Sequence, residues 1–161
     1  MITQQKKSVN TRSKAGVDES AEFIREYKKT RWVPNSERIG KPDSLSAWYS
    51  IEEMENFINL AKSKGGDGIR FYYGTFPENY TAKPEYAGRQ TIVKVATRSK
   101  ITEDGTIAHK DLYYSKNGQL KILSGLIPKG CPPECAPPSE GGTGDLGITI
   151  IDKGDKGMVI I

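Results

Sequence analysis

The feature that most constrains the fold is a helix signal at residues 50–63, followed within a few residues by a strand signal. Ser50-Ile51-Glu52-Glu53 matches a capping box, in which the Ser50 hydroxyl accepts from the Glu53 amide and the Glu53 carboxylate accepts from the Ser50 amide. Tyr49 and Met54 flank the box as a hydrophobic staple. The apolar residues that repeat at helical spacing are Ile51, Met54, Phe57, Ile58 and Ala61. Because Gly65-Gly66 follows, the pattern predicts a helix over 51–63.

Several β-prone runs surround this helix. Residues 68–74 are β-branched and aromatic between two glycines, and residues 91–97 form a second clear strand. Further strands are expected around 106–114 and 120–127, with turns at Asp104-Gly105 and Asn117-Gly118.

Residues 45–49 are a candidate partner for the strand at 68–74, which would make a right-handed β-α-β unit with the helix. The sequence therefore predicts an α+β core domain over 45–127. In it, one well-capped helix packs on a small, largely antiparallel sheet.

The chain before this domain divides into an arm, a helix and a linker. Residues 1–17 are polar and predict a flexible basic arm. Residues 18–32 predict a helix, which Val33-Pro34 would end because the residue before proline avoids the helical region. The apolar stripe of this helix is Phe23, Ile24 and Tyr27. Residues 34–44 are then expected to be a linker, so the N-terminal helix and its linker occupy 18–44.

The excess positive charge of the chain lies near its start. Residues 1–41 hold ten lysines and arginines and five acids, a net charge of +5, within a total of +4. Such an arm can bind nucleic acid or an acidic partner, and it can equally be a solvated tail that aids solubility.

The chain after the core changes composition twice. Residues 128–147 hold five of the nine prolines and five of the seventeen glycines, which predicts an extended Pro/Gly-rich linker. Residues 148–161 are a β-prone tail that is expected to form a hairpin or strand. The tail contains seven large apolar side chains: Ile148, Ile150, Ile151, Met158, Val159, Ile160 and Ile161.

An apolar tail of this kind needs a cover. It can fold back on the edge of its own sheet, or it can pair with a neighbouring copy or a protein partner. The tail is therefore the predicted contact for strand exchange, either in a homo-oligomer or with a protein partner.

Localisation follows from what the sequence lacks. No stretch approaches the roughly 20 apolar residues that cross a bilayer, and the first residues have no secretory signal. A cytoplasmic protein without membrane contact is expected. No nucleotide-binding or hydrolase motif is present, and we expect no cofactor.

Cys131 and Cys135 form the one cysteine pair, with C-x3-C spacing. Together with His109 and Asp111 they can be drawn as a zinc site, although zinc frameworks usually bring two paired ligand sets. A disulfide is the second interpretation and implies an oxidising compartment. Free thiols are the interpretation that we favour.

A basic and aromatic sheet face is the alternative functional site. Such a face binds RNA through phosphate contacts and base stacking, and it supports metal-independent RNA cleavage. The competing interpretation is that these are ordinary outward-facing strand residues. The candidate residues are Arg70, Tyr72, Arg89, Lys94 and His109.

Three short motifs also carry a resemblance. They are Trp48-Tyr49-Ser50-Ile51-Glu52-Glu53-Met54, Gly68-Ile69-Arg70-Phe71-Tyr72 and Cys131-Pro132-Pro133-Glu134-Cys135. Their order resembles small bacterial proteins of uncharacterised function that have an aromatic-led capped helix, a G-I-R-F-Y strand and a C-P-P-x-C tail. The resemblance implies a single α+β domain and assigns no catalytic residue. The lack of a convincing catalytic site, together with the basic arm and the apolar tail, predicts a non-enzymatic interaction or assembly module, with RNA binding or cleavage as the alternative.

Overall fold

The structure of the chain, a computed structural model, describes residues 17–134, 150–152 and 158–160. It has an α+β fold with small antiparallel sheets, which confirms the predicted fold class. The predicted basic arm lies outside the described residues, except for Val17 at the start of the first helix.

The N-terminal helical region is longer than predicted. Helix α1 spans Val17–Tyr27, a π-helical turn spans Lys28–Trp32, and helix α2 spans Val33–Ile39. The prediction that Pro34 ends the helix is wrong, because the Val33 amide donates to the Lys28 carbonyl five residues back. This wider turn accommodates a proline that a regular α-helix would not. The predicted linker is thereby reduced to the residues after α2.

Helix α3 spans Ile51–Ser63, as the sequence predicts. The Glu53 amide donates to Ser50 Oγ at 3.0 Å, and the Ser50 amide donates to Glu53 Oε2 at 2.8 Å, so both bonds of the capping box form. These bonds lower the pKa of the Glu53 carboxyl. After the helix, Gly65 takes a φ of 78°, which glycine adopts without strain.

The central sheet has three antiparallel strands in the order β2-β3-β4. Strand β2 spans Gly68–Thr75, β3 spans Gln90–Ile101 and β4 spans Ile107–Asp111. The register places Ile69 opposite Ala96 and Arg98 opposite Lys110. Since side chains alternate along a strand, these four side chains lie on one face of the sheet.

Strand β1, Ser46–Trp48, pairs with β7, Lys129–Cys131, and not with β2. The predicted β-α-β unit is therefore wrong, and so is the linker prediction for residues 129–131. Pro128 and Pro132 stand just outside the paired residues, where the missing amide hydrogens cost no ladder bonds. The composition of a twenty-residue window concealed this three-residue strand.

A hairpin of β5, Tyr113–Lys116, and β6, Gln119–Ile122, follows the central sheet. Its turn is at Asn117 and Gly118, whose φ angles of 52° and 75° confirm the predicted turn signal. The chain then returns to β3, where the Ala96 amide donates to the Leu123 carbonyl at 2.9 Å.

The core lies between α3 and one face of the central sheet. Phe57 and Ala61 of α3 pack with Ala96 and Leu123, and all four are buried. Ile69, Leu112 and Tyr114 pack against this cluster. The face of the sheet that holds Arg70, Tyr72 and Asp111 is the opposite one.

The C-terminal tail forms the predicted hairpin. Strand β8, Ile150–Asp152, pairs antiparallel with β9, Met158–Ile160, and β9 lies close to α1. Over the parts of the chain that the structure covers, no helix is long and apolar enough to cross a membrane.

Candidate functional site

A network of polar side chains occupies the face of the central sheet opposite α3. Arg70 Nη1 donates to Asp111 Oδ1 at 2.5 Å, and Arg70 Nη2 donates to the His109 carbonyl at 2.6 Å. The Tyr72 hydroxyl donates to Asp111 Oδ2 at 2.5 Å. The structure thus brings together three of the five predicted nucleic-acid-binding residues.

His109 is tied into the same face by its ring. Its Nδ1 lies 2.9 Å from Ser99 Oγ, and the Asp67 carboxylate accepts from the Ser99 amide at 3.0 Å. Hydrogen bonding from Ser99 lowers the pKa of the Asp67 carboxyl. The exposed imidazole therefore stands beside an anionic and a hydroxyl group.

Asp111 changes what this face can do. Both of its oxygens are used, one by Arg70 and the other by Tyr72, so the guanidinium is ion-paired. A phosphate would have to compete with a carboxylate that is already in place. The predicted face exists, but its central cation is partnered.

Lys94 does not lie on this face. Its side chain is 1% exposed and points towards α3, on the side of Ala96. Its Nζ lies 3.5 Å from the centroid of the Tyr49 ring and 5.6 Å from that of Phe57. Desolvation lowers the pKa of the Lys94 ammonium. The prediction that Lys94 contacts nucleic acid is wrong, because the ammonium is enclosed.

Arg89 is also enclosed, with 8% of its surface exposed. Its Nε donates to the Glu85 carbonyl at 2.8 Å, and its Nη1 is buried without a hydrogen-bond partner. Burial lowers the pKa of the Arg89 guanidinium, and the charge of Asp43 opposes that shift. Arg89 is therefore a buried structural cation, and its predicted role on the sheet face is wrong.

A second candidate site is an apolar groove beside α1, with a volume of about 280 Å³. We call it the α1 groove. Its apolar lining includes Phe23, Ile24, Tyr27, Leu45, Ala47 and Ile92. The Tyr27 hydroxyl donates to Gln90 Oε1, which joins α1 to the start of β3. The sequence showed the α1 stripe, but the groove itself depends on where β1 and β3 are placed.

The predicted assembly residues lie at the end of the chain. Ile150, Ile151, Met158, Val159 and Ile160 belong to β8 and β9, whereas Ile148 and Ile161 are outside the described residues. The backbone of β9 runs close to α1, the helix that supplies one wall of the α1 groove.

The cysteines do not support the favoured interpretation. Cys131 is disulfide-bonded, so the expectation of free thiols is wrong. Cys135, the other cysteine of the sequence, lies outside the described residues. Within residues 17–134 and the two tail strands, no cluster of three metal-ligating side chains is present.

Comparisons with family models, curated proteins and solved structures give no match. The resemblance to small bacterial proteins stays a prediction.

Proposed function

We propose that the chain is a non-enzymatic self-assembly protein whose C-terminal strand occupies the α1 groove of a neighbouring copy. The observation that carries this proposal is the position of β9 beside α1, the helix that forms one wall of an apolar groove.

The α1 groove supplies the attraction. Phe23 on one side of it is 59% exposed and Tyr73 on the other is 90% exposed. Covering apolar surface is favourable by about 25 cal/mol per Å². An apolar segment laid along this groove would therefore be held by the burial of side chains that water now contacts.

The tail supplies the ligand. Met158, Val159 and Ile160 form a strand of three apolar residues, in a hairpin of two strands that is marginal by itself. The segment from 135 to 149 contains two prolines and four glycines, so its composition provides reach. A tail that can reach its own groove can also reach that of a neighbour, which is the basis of segment exchange between identical chains.

Truncation after residue 145 is the deciding experiment, with the molar mass measured by light scattering over a range of protein concentrations. The full chain is expected to exceed its monomer mass of 17.8 kDa as the concentration rises, and the truncated chain is expected to remain monomeric. A full chain that stays monomeric at every concentration would show that the self-assembly proposal is wrong.

A matched pair of substitutions tests the groove. Ile24→Asp places a charge in the groove lining, and Arg25→Asp places the same residue at the adjacent, exposed position of α1. Only Ile24→Asp is expected to abolish the larger species. Equal loss in both variants would mean that helix charge, and not the groove, controls assembly.

A further inference from the structure

A separate surface, where the end of α3 meets the central sheet, includes four basic residues. We call it the basic surface, and it consists of Lys64, Arg98, Lys100 and Lys110. Arg98 and Lys110 are directly opposite each other on β3 and β4, and Lys100 follows two residues after Arg98 on the same face. Lys64 comes directly after α3, which ends against this part of the sheet.

Arg98 is held in place at the centre of the basic surface. Its Nε donates to the Gly65 carbonyl and its Nη2 to the Lys64 carbonyl, both at 2.6 Å. A Cβ atom at Gly65 would collide with the guanidinium, so the glycine permits this approach. Three of the five donors of the guanidinium stay available on a side chain whose orientation is already set.

The four cations of the basic surface form no ion pair among the described residues. Ion pairs there join Arg70 to Asp111 and Lys83 to Glu134, and neither pair includes these four cations. Asp111 is adjacent to Lys110 in sequence, but it lies on the other face of the sheet with Arg70. All four side chains of the basic surface are exposed.

This arrangement is unfavourable for a sheet in isolation. Like charges directly opposite each other on two antiparallel strands destabilise the pair, and Lys100 adds a third positive charge on the same face. An anionic ligand would relieve this repulsion. Ala108 lies directly opposite Lys100, so no large apolar side chain faces Lys100 across this strand pair.

We propose that the basic surface binds the phosphate backbone of a nucleic acid. Phosphate contacts by lysine and arginine dominate the affinity of such complexes, whereas the centres of protein interfaces are enriched in aromatic residues and depleted of charge. The cations on this surface include none of the five residues that the sequence indicated. The sequence pattern that could have indicated them is the spacing of Arg98 and Lys100, two residues apart on one strand, with Lys110 on the strand that follows the turn at Asp104-Gly105.

The experiment measures the fluorescence anisotropy of a labelled single-stranded RNA of about 16 nucleotides with the full-length chain. A duplex DNA of equal charge and a polyglutamate chain serve as further probes. Lys100→Glu and Lys110→Glu are compared with Lys121→Glu, a charge reversal at an exposed lysine of β6. Thermal melts check that all three variants remain folded.

Each reversal on the basic surface is expected to weaken RNA binding about tenfold at low salt, and Lys121→Glu to change it less than twofold. The slope of log K against log salt should fall by about 0.7 for each phosphate contact that is lost. The affinity should be unchanged by truncation after residue 145, so this inference and the assembly proposal fail independently.

Three results would overturn the inference. The first is the absence of RNA and DNA binding at low salt. The second is an equal effect of Lys121→Glu, which would indicate attraction by the total charge of the chain. The third is an unchanged RNA affinity of Lys100→Glu together with a loss of RNA affinity when the charges of the N-terminal arm are removed, which would assign RNA binding to that arm. The residues to neutralise are Lys6, Lys7, Arg12 and Lys14. In the first case, capture of polyglutamate would point instead to an acidic protein partner.

Discussion

Replacing Lys94 by methionine tests the account of the buried lysine in the core. The Lys94 side chain is 1% exposed, and its ammonium contacts the Tyr49 ring and, at 4.0 Å, the sulfur of Met54. Methionine is a flexible apolar side chain that fills irregular core space and also contacts aromatic rings favourably. Lys94→Met therefore fills most of the volume and removes the desolvated charge.

The expected change in the free energy of unfolding is the balance of two terms. A cation–π contact is worth about 2 kcal/mol when desolvated, which Lys94→Met loses. Among the described residues the Lys94 ammonium makes no ion pair, and its burial costs several kcal/mol. The charge of Glu53 offsets only part of that cost, and Lys94→Met recovers the rest. We expect Lys94→Met to be between neutral and about 2 kcal/mol more stable than the natural chain.

Tyr49→Leu tests the same contact from the other side. It should destabilise the natural chain by about 2–4 kcal/mol, since it removes part of a packed ring and leaves the Lys94 ammonium against an aliphatic side chain. In the Lys94→Met background the loss should be smaller by about 1–2 kcal/mol, the coupling energy of the pair. The measurement is urea unfolding followed by the fluorescence of the two tryptophans.

Lys121→Met is the control, because it makes the same replacement at an exposed lysine and should change stability by less than about 0.5 kcal/mol. If Lys94→Met destabilises the protein by more than about 2 kcal/mol, the buried ammonium stabilises the fold by more than its cation–π contact supplies. A coupling energy near zero would show that Tyr49 does not stabilise the charge.

Three further predictions concern the same part of the fold. Ser50→Ala should destabilise the protein by about 1 kcal/mol through loss of the cap on α3, and a melting temperature equal to that of the natural chain would mean that the cap is not needed. Gly125→Ala places a Cβ atom 2.8 Å from Lys94 Cγ and should cost about 1–3 kcal/mol in urea unfolding, with a smaller loss when Lys94 is alanine. In alkaline solution, Lys94 should contribute a rise of stability with pH that is complete by about pH 10.5, because its pKa is lowered and the folded state holds fewer protons there. Tyr49 should contribute a fall of stability from about pH 10 to 12, because desolvation raises its pKa to about 12 and the folded state holds more protons; Lys94→Met and Tyr49→Phe should remove these two contributions separately.

The elements predicted well are those whose signals are local. The capping box of α3 needs only Ser50 and Glu53, three residues apart, and the turn at Asn117-Gly118 needs only residues that accept positive φ. The amphipathic stripe of α1 was likewise visible from three side chains. Each of these signals acts over less than two helical turns, so a single sequence contains it completely.

The candidate sites required the tertiary structure, because exposure depends on what covers each face. Lys94 and Arg98 are two basic residues four positions apart on the same strand, β3, so the sequence alone does not distinguish them. Helix α3 lies over Lys94 and ends at Arg98, so one cation is enclosed by aromatic rings and the other reaches solvent. No local pattern specifies how far a helix extends across a sheet.

The α+β class, the capped helix, the hairpin turn and the apolar tail each follow from propensity or periodicity within a short segment. The pairing of β1 with β7, the neutralisation of Arg70 by Asp111 and the division of the β3 cations between core and surface depend instead on contacts between distant segments. Pairings between segments tens of residues apart are selected by total burial and hydrogen bonding, which no short window of sequence contains.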